Sequence, residues 1–378
     1  MTNQKQFLKL LGLSLLFTLG LFARLLFLPA RTLDMLSYIQ WYDQIAREGL
    51  LRALSDQFIG YNPPFIYLLW LATLTRSFLP KIWAIKLIPL TFDVLNTTIV
   101  YQVVRTHFPN SLKPLLAALL FWIAPTILIN SSLWGQTDAL YTCFLLLAVL
   151  FLLKERPIAG VIAFALSLAV KAQAVFLAPL LGVLFFKKRI PWYAFLLVPP
   201  VYAIFFLPPL LTGKLDSLFS TYTTQGETFA RASMNAANLY FLLPRDAYQA
   251  SLWIGIPLAA LLLLTWVLFY GLKRYTFTQA ILVLTSLVSV ALTPFLLPKM
   301  HDRYFYPADA LSIVTAFFVP GTWFLPIAYQ VISLLSYLPY LFNLRAEFII
   351  PWAVMVNVIA IGFLLWKQWR MVSTSEGG

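Results

Sequence analysis

A few polar residues that could do chemistry stand out from an otherwise apolar chain. Asp34 lies immediately beyond the first apolar run, where a carboxylate is well placed to act as a general base near a bilayer surface. An ordinary solvated loop acid explains this position equally well. Asp43, in the same segment, is interpreted as a structural residue that pairs with a loop arginine.

Three basic residues form the densest polar group at the boundary of an apolar run. Lys299, His301 and Arg303 lie close together and would make a cationic pocket suited to a phosphate or diphosphate near lipid headgroups. Anchoring at the membrane interface is the alternative, since lysine and tyrosine are common at headgroup level. Anchoring does not require a histidine between two cations, so the pattern favours a phosphate site.

The segment Trp134-Gly-Gln136-Thr-Asp138 opens another apolar run at what is predicted to be the same face. Gln136 and Asp138 could hydrogen-bond several hydroxyls of one sugar ring. Asp138 could equally cap the helix that follows as an N-terminal acid. The two interpretations are compatible, and both stay open.

Charged and amide residues inside or beside apolar runs form a further group of candidates. Lys171 lies with Gln173 in a tight apolar hairpin, and a lysine in a membrane is costly enough to be a functional candidate by default. Arg24 is a candidate for the same reason, with snorkelling to the interface as the alternative. Asn235 and Asn238 stand just before an apolar run, where they could merely break the chain.

Several catalytic patterns are missing from the sequence. It contains no Asp-x-Asp pair to clamp a metal-bound nucleotide sugar, no Gly-x-x-x-x-Gly-Lys phosphate loop and no convincing Ser/His/Asp spacing. The 2 histidines, His107 and His301, make a histidine-based metal site improbable. We therefore expect neither a metal nor another cofactor. The single Cys143 makes an internal disulfide impossible.

The composition indicates where such residues must be held. Of the 378 residues, 61% are hydrophobic and 11% charged, whereas soluble domains are nearer half apolar and a quarter charged. This surplus of apolar surface predicts an integral membrane protein. The net charge of +13 comes mostly from short basic clusters between apolar runs, as the positive-inside rule expects, and no nucleic-acid-binding motif accompanies it.

The basic clusters set the predicted topology. If all of them face the cytoplasm, the chain crosses the membrane about twelve times (11–13) with both termini inside. The expected fold is an all-α polytopic bundle, a single transmembrane domain over residues 1–378 with no separate soluble domain. The first run, about Leu10 to Pro29, is interpreted as an uncleaved span rather than a signal peptide, because it is long and contains Arg24.

This topology places two long polar segments on the outer face, together with the short turn Pro298–Pro307 and the segment Trp134–Asp138. Residues 31–82 form a first outer loop with juxtamembrane helices, and residues 212–250 form a second. Phe65–Leu79 is short for a span and is predicted to lie along the outer face. Asp93 and Asp309 fall inside spans and are expected to hydrogen-bond neighbouring helices. The arrangement leaves three basic residues outside, against the charge rule: Arg76, Lys81 and Lys86.

Taken together, six short motifs resemble the GT-C superfamily, in particular bacterial relatives of the mannosyltransferase that adds the second mannose of GPI anchors. They run in order across nearly the whole chain. The motifs are Leu33-Asp34 to Tyr42-Asp43, Tyr61-Asn-Pro-Pro-Phe65, Trp134-Gly-Gln-Thr-Asp138, Lys171-Ala-Gln173, Asn235-Ala-Ala-Asn-Leu239 and His301-Asp-Arg-Tyr304.

The resemblance implies an inverting glycosyltransferase of the bacterial inner (plasma) membrane, with its active site facing the periplasm or exterior. It would transfer a hexose, mannose by the family's suggestion, from a polyprenyl-phosphate donor to a lipid-linked or cell-envelope glycan acceptor. Asp34 matches the family's catalytic base, and His301 and Arg303, with Lys299, would hold the donor phosphate. The sugar or acceptor pocket would draw on Trp134, Gln136, Asp138, Lys171, Gln173, Asn235, Asn238, Tyr61, Tyr304, Asp43 and Arg24.

Some residues depart from the family pattern. Relatives often have Glu where Asp302 stands, Pro where Ala172 stands, and Pro-Asn-Leu-Trp where Ala237-Asn-Leu-Tyr240 stands. These differences concern local geometry more than reaction class.

A multi-pass transporter or a lipid or glycolipid flippase is the alternative from another class, with Lys171, Arg24 and Asp93 lining a path. Such a protein often has internal repeats, and the two halves of this sequence contain no convincing repeat. A non-catalytic assembly subunit is a third possibility. The gathering of polar residues on one face favours the transferase.

Overall fold

The computed structural model describes residues 2–55, 61–211 and 230–375, and within these the protein is mostly helical. Much of the predicted second outer loop, and residues 56–60 of the first, lie outside the described residues. The α-helices are α1 (Thr2–Phe27), α2 (Leu33–Glu48), α3 (Leu50–Ser55), α4 (Pro63–Thr73), α5 (Lys81–His107), α6 (Lys113–Ile123), α7 (Pro125–Leu128), α8 (Asp138–Leu153), α9 (Pro157–Val170), α10 (Ala178–Phe186), α11 (Val198–Leu211), α12 (Tyr248–Ala250), α13 (Ile256–Leu272), α14 (Gln279–Leu296), α15 (Tyr306–Phe318), α16 (Leu325–Phe342) and α17 (Ala346–Ser373).

Shorter helical turns and one small sheet complete the described structure. Two π-helical turns, Ile129–Trp134 and Ser251–Gly255, extend α7 and join α12 to α13. The sheet pairs β1 (Ser233–Met234) with β2 (Met300–His301) in parallel. The 3₁₀ turns are Ala172–Leu177, Trp192–Leu197, Leu239–Leu242 and Arg245–Ala247.

Several helices are long and apolar enough to cross a membrane, as the composition predicts. Among the described residues these are α5, the continuous helix Tyr248–Leu272, α14, α16 and α17, with α6 and the Pro125–Trp134 helix forming a sixth span if the 50° bend between them is counted as one crossing. Other apolar helices are shorter. The 14 residues of α9 rise only about 21 Å, against a hydrocarbon core of about 30 Å. The described residues are thus mostly helical with five or six helices that could span a membrane, which is consistent with a multi-pass membrane protein, and the count of about twelve spans stays a prediction.

The bend after α6 follows directly from its sequence. Ala124 precedes Pro125 and adopts the extended backbone that proline imposes on its neighbour, with ψ of 125°. Pro125 then begins α7 at a position where no backbone N–H is needed. The chain therefore changes direction at Ala124 without leaving a hydrogen bond unmade inside a helix.

A buried ion pair joins the first helices. The Arg24 guanidinium donates to Asp93 Oδ2 at 3.0 and 3.1 Å and to the Trp122 carbonyl at 2.8 Å. Ser131 donates to the same Asp93 oxygen at 2.6 Å. Asp93 thus bonds neighbouring helices as expected, and so does Asp309, which accepts from Ser333 at 2.8 Å.

Arg24 was predicted to line the sugar or acceptor pocket, and the structure instead places it in this ion pair. Its side chain is 1% exposed and its described contacts lie between α1, α5 and α6, because an apolar interior retains a charge only where a counter-charge and carbonyls satisfy it.

The first outer segment also differs from its predicted pairing. Asp43 pairs with Lys81 at 2.7 Å, so its partner is a lysine of α5 rather than a loop arginine. Lys86, which was predicted on the outer side against the charge rule, is held inside the protein. It is fully buried, and its ammonium donates to the carbonyls of Phe27, Ala30 and Leu133. Lys86 thus ties the end of α1 to the turn that follows α7.

Candidate functional site

Helix α2 brings Asp34 to the centre of a polar cluster. Thr32 caps the helix by accepting from the Met35 N–H at 3.3 Å, which places Asp34 in the first turn, where an acid is favourable. The half-buried Asp34 accepts from Trp134 Nε1 at 2.9 Å and from Gln136 Nε2, both through Oδ2. Two predicted motifs that lie far apart in sequence therefore meet here.

The turn after α7 aims both donors at Asp34. Gly135 has a φ of +78°, in the left-handed region that favours glycine, and a β-carbon there would collide with Met35 Cε. The Gln136 N–H then bonds the Asn130 carbonyl at 2.9 Å. The close approach of Gly135 to α2 is what lets Trp134 and Gln136 reach Asp34.

Asp138 is a second, fully buried carboxylate beside the first. Its Oδ1 binds Lys171 Nζ at 2.6 Å, and its Oδ2 accepts from Asn130 at 3.0 Å. Asp138 is the first residue of α8. The predicted capping acid thus lies at a helix start, and its carboxylate binds side chains of the site.

Lys171 and Gln173 reach the site because α9 ends at Val170, immediately before them. Lys171 has an extended backbone, with φ of −157°, and separates α9 from the 3₁₀ turn that follows. Gln173 donates to the Tyr304 hydroxyl at 2.6 Å. The predicted intramembrane lysine is therefore paired, and the same turn connects to the His301–Tyr304 motif.

Arg303 links the two carboxylate regions. Its Cζ lies 5.5 Å from the centroid of the Trp134 ring, a cation–π distance. Its Nη1 lies 3.4 Å from Asp302 Oδ1 and its Nε 3.5 Å from Asp138 Oδ2. That Nε–H is buried and finds no hydrogen-bond acceptor among the described residues. A buried N–H without an acceptor costs free energy, so this group favours an acceptor that a ligand supplies.

The charges of the His301 motif differ from the predicted cationic triplet. Burial, followed by Arg303, Lys171 and Lys299, lowers the pKa of His301 to about 3, so the imidazole is neutral near pH 7. Burial raises the pKa of Asp302 to about 7, although the neighbouring Arg303 lowers it. His301 is therefore a hydrogen-bonding group and not a cation.

Lys299 and the two asparagines line the far side of this motif. Lys299 donates to the Tyr248 hydroxyl at 2.8 Å, which connects its ammonium to α12. Asn235 has a φ of +59° and bridges to His301 through its backbone. The buried Asn238 donates to the Leu297 carbonyl at 3.0 Å, which makes it a structural residue at the end of α14.

Tyrosines complete the cluster, and sequence reasoning missed two of them. Tyr61, a predicted residue, shares a 2.7 Å hydrogen bond with Tyr38, which in turn donates to Gln136 at 3.2 Å. Tyr38 lies one helical turn after Asp34, so helical spacing is a signal that could have found it. Tyr340 stacks on Trp134 at 4.8 Å and lies beside Asp34, and no local pattern marks it.

The structure thus separates the predicted residues into two groups. Asp43, Arg24 and Asn238 contact other residues, and Lys299 and Asn235 lie at the edge of the cluster beside His301. One connected cluster holds Asp34, Trp134, Gln136, Asp138, Lys171, Gln173, Tyr61, His301, Arg303 and Tyr304.

Comparison of the sequence with known proteins finds no relative. Neither a protein-family model nor a curated protein matches the sequence. The described residues contain no group of three or more His, Cys, Asp or Glu side chains that could hold a metal ion.

Proposed function

We propose that this protein is a GT-C-type inverting glycosyltransferase with about twelve spans. It moves a hexose from a polyprenyl-phosphate donor to a lipid-linked or envelope glycan on the outer membrane face. One observation carries the proposal: Asp34 and Arg303, from distant parts of the chain, both contact Trp134. The carboxylate is suited to act as a base, and the guanidinium beside the same aromatic ring is suited to bind a phosphate.

The two groups have complementary roles in the transfer. Asp34 takes the proton from an acceptor hydroxyl as that oxygen bonds to the anomeric carbon of the sugar. The bond from this carbon to the phosphate oxygen breaks, and polyprenyl phosphate leaves with the electron pair. Attack from the face opposite the leaving group inverts the anomeric carbon. Trp134 and Gln136 occupy Asp34 Oδ2, so Oδ1 is the oxygen proposed to take the proton.

Arg303 supplies the charge that the leaving phosphate needs. Its buried Nε–H lacks an acceptor among the described residues, and a phosphate oxygen would accept from it. Neutral His301 adds a hydrogen bond without charge. The transporter alternative is less well supported, since two of its three proposed path residues, Arg24 and Asp93, are bonded to each other and buried.

The test compares two matched variants on one helix. Purified protein in liposomes receives radiolabelled polyprenyl-phosphate mannose or glucose and an acceptor glycolipid extract. Asp34→Asn is expected to lower transfer by about 10²–10⁴-fold while donor binding persists, because it removes the base alone. Asp43→Asn makes the same change on α2 beside Lys81 and should leave transfer intact.

Two results would contradict the proposal. Full transfer by Asp34→Asn would remove this residue from its assigned role. Movement of labelled lipid between leaflets, with no new glycosidic bond, would favour the flippase instead.

A further inference from the structure

A groove of about 490 Å³ lies between α1, α5 and α6, and none of the proposed catalytic residues lines it. Its volume is in the range of about 300–1,000 Å³ that is typical of ligand sites. The walls include Leu13 and Phe17 from α1, Tyr101 from α5, and Leu115, Ala118 and Trp122 from α6.

The groove offers a hydrocarbon chain little polar competition. Thr18, Thr97 and Thr98 line it, yet each donates its hydroxyl to a carbonyl of its own helix, at 2.9, 2.7 and 2.9 Å. The hydrogens of these hydroxyls are already bonded, so they need no acceptor from a ligand. An apolar chain can therefore pack against these threonines without leaving their donors unpaired.

Trp122 lines the groove and lies between it and the buried Arg24. Trp122 stacks on Phe17 at 4.9 Å, and the Arg24 guanidinium lies 3.7 Å from the Trp122 ring centroid. From Leu115 to Trp122 the groove follows α6 for about 10 Å, less than half of a hydrocarbon core about 30 Å thick. It therefore accommodates a chain from one leaflet only.

Two exposed cations stand near the other end. Arg105 Cζ lies 6.0 Å from the centroid of the Tyr101 ring, which lines the groove. Lys113 begins α6 just before Leu115, and its ammonium lies 3.8 Å from the Phe108 ring centroid. The sequence between these two cations contains no acidic residue. This end of the groove is thus complementary to a negative headgroup.

We propose that the groove binds one anionic phospholipid, with an acyl chain along α6 and the headgroup phosphate between Arg105 and Lys113. The inference is independent of the proposed transferase activity. These cations belong to the basic clusters that the positive-inside rule assigns to the cytoplasm, so the lipid would come from the inner leaflet.

Native mass spectrometry of the full chain in detergent tests the headgroup. Phosphatidylglycerol and phosphatidylcholine with identical chains are titrated separately. The protein is expected to retain phosphatidylglycerol at least about tenfold better, and Arg105→Gln with Lys113→Gln should abolish the difference. Lys154→Gln with Lys188→Gln removes two exposed charges elsewhere and should preserve it.

A second pair of variants tests the groove itself. Ala118→Phe fills the groove and is expected to lower binding of phosphatidylglycerol at least about fivefold. Ala260→Phe adds the same volume at an exposed position of α13 and should change nothing. Unchanged phosphatidylglycerol binding in Ala118→Phe would place the lipid elsewhere and overturn the proposal. Equal retention of the two lipids by the unaltered protein would overturn it as well, and this arm uses no substitution that could impair folding.

Discussion

At the scale of single residues, the site depends on how two buried acids share Arg303. Asp302 lies 3.4 Å from Nη1 of the guanidinium, and Asp138 lies 3.5 Å from its Nε. Asp138 also holds Lys171, whereas burial raises the pKa of Asp302 to about 7. Asp302 is therefore the acid whose charge changes near neutral pH, and its state controls how strongly Arg303 is held away from a ligand.

The donor affinity should depend on pH through Asp302. Below about pH 7 this carboxyl is protonated and neutral, so Arg303 is freer to bind phosphate; above it, the carboxylate competes. We expect the Kd for the donor to rise several-fold between pH 6 and pH 8, measured by calorimetry in detergent. Asp302→Asn should bind tightly at both values. A wild-type slope that survives in Asp302→Asn would assign the titration to another group.

His301 and Arg303 should contribute unequally to donor binding. Because the imidazole is neutral, His301→Gln keeps a polar hydrogen-bonding side chain and should change the donor Kd less than about threefold. Arg303→Lys retains charge but loses the planar fork, and should weaken binding by about 1.5–3 kcal/mol, as expected for charged hydrogen bonds. Equal losses in both variants would mean that His301 binds as a cation.

At the scale of elements, the turn between α7 and α8 decides the geometry of the site. Pro125 redirects the chain, a π-helical turn carries it to Trp134, and Gly135 reverses it beneath α2. Lys86 holds this turn because its ammonium donates to the Leu133 carbonyl and to the carbonyls of Phe27, at the end of α1, and Ala30, just beyond it. The turn is thus positioned by packing from two other helices.

Gly135→Ala should disturb this element specifically. A left-handed φ costs a non-glycine residue about 1–2 kcal/mol, and the added β-carbon would also meet Met35 Cε. We expect a lower Tm and a loss of transfer. In a double-mutant cycle with Met35→Ala, the two unfolding free energies should couple by at least about 0.5 kcal/mol, since the collision disappears in the double variant. Strict additivity would mean that Met35 does not press on Gly135.

At the scale of the whole molecule, the cluster gathers residues from α2, the turn after α7, α8, the turn after α9 and the segment before α15. These segments meet at one end of the bundle, whereas Arg105, Lys113, Lys154 and Lys188 adjoin helix ends and turns in the other loops. A single polar end of this kind suits a one-sided site.

Cysteine labelling should locate this end. In a Cys143→Ser background, cysteines at the exposed positions Leu33 and Glu347 are expected to react with a membrane-impermeant maleimide added to intact cells. Cysteines at Ser111 and Glu155 should react only after permeabilisation, since their loops belong to the basic side. Reaction of Leu33 and Ser111 from the same side would overturn both the orientation and the span count.

The helical, apolar character of the chain and most members of the cluster could be predicted from the amino-acid sequence. Apolar length and basic spacing predicted a helical membrane protein, because the lack of water in a bilayer forces backbone groups to bond within helices. The sequence also singled out Asp34, Asp138, Lys171 and Arg303, which lie in one cluster in the structure. Lys171 was marked because a charge is costly in lipid, and the other three by their places beside apolar runs.

Which of these residues lie together depends on how distant segments pack in the folded protein. Arg24 and Lys171 carry the same local signal, yet Arg24 finds Asp93 between helices and Lys171 finds Asp138 in the cluster. The charge of His301 depends on burial and on cations from other segments, and Tyr340 joins the site by stacking across the bundle. Pairing, burial and stacking are properties of groups distant in sequence, so no local pattern encodes them.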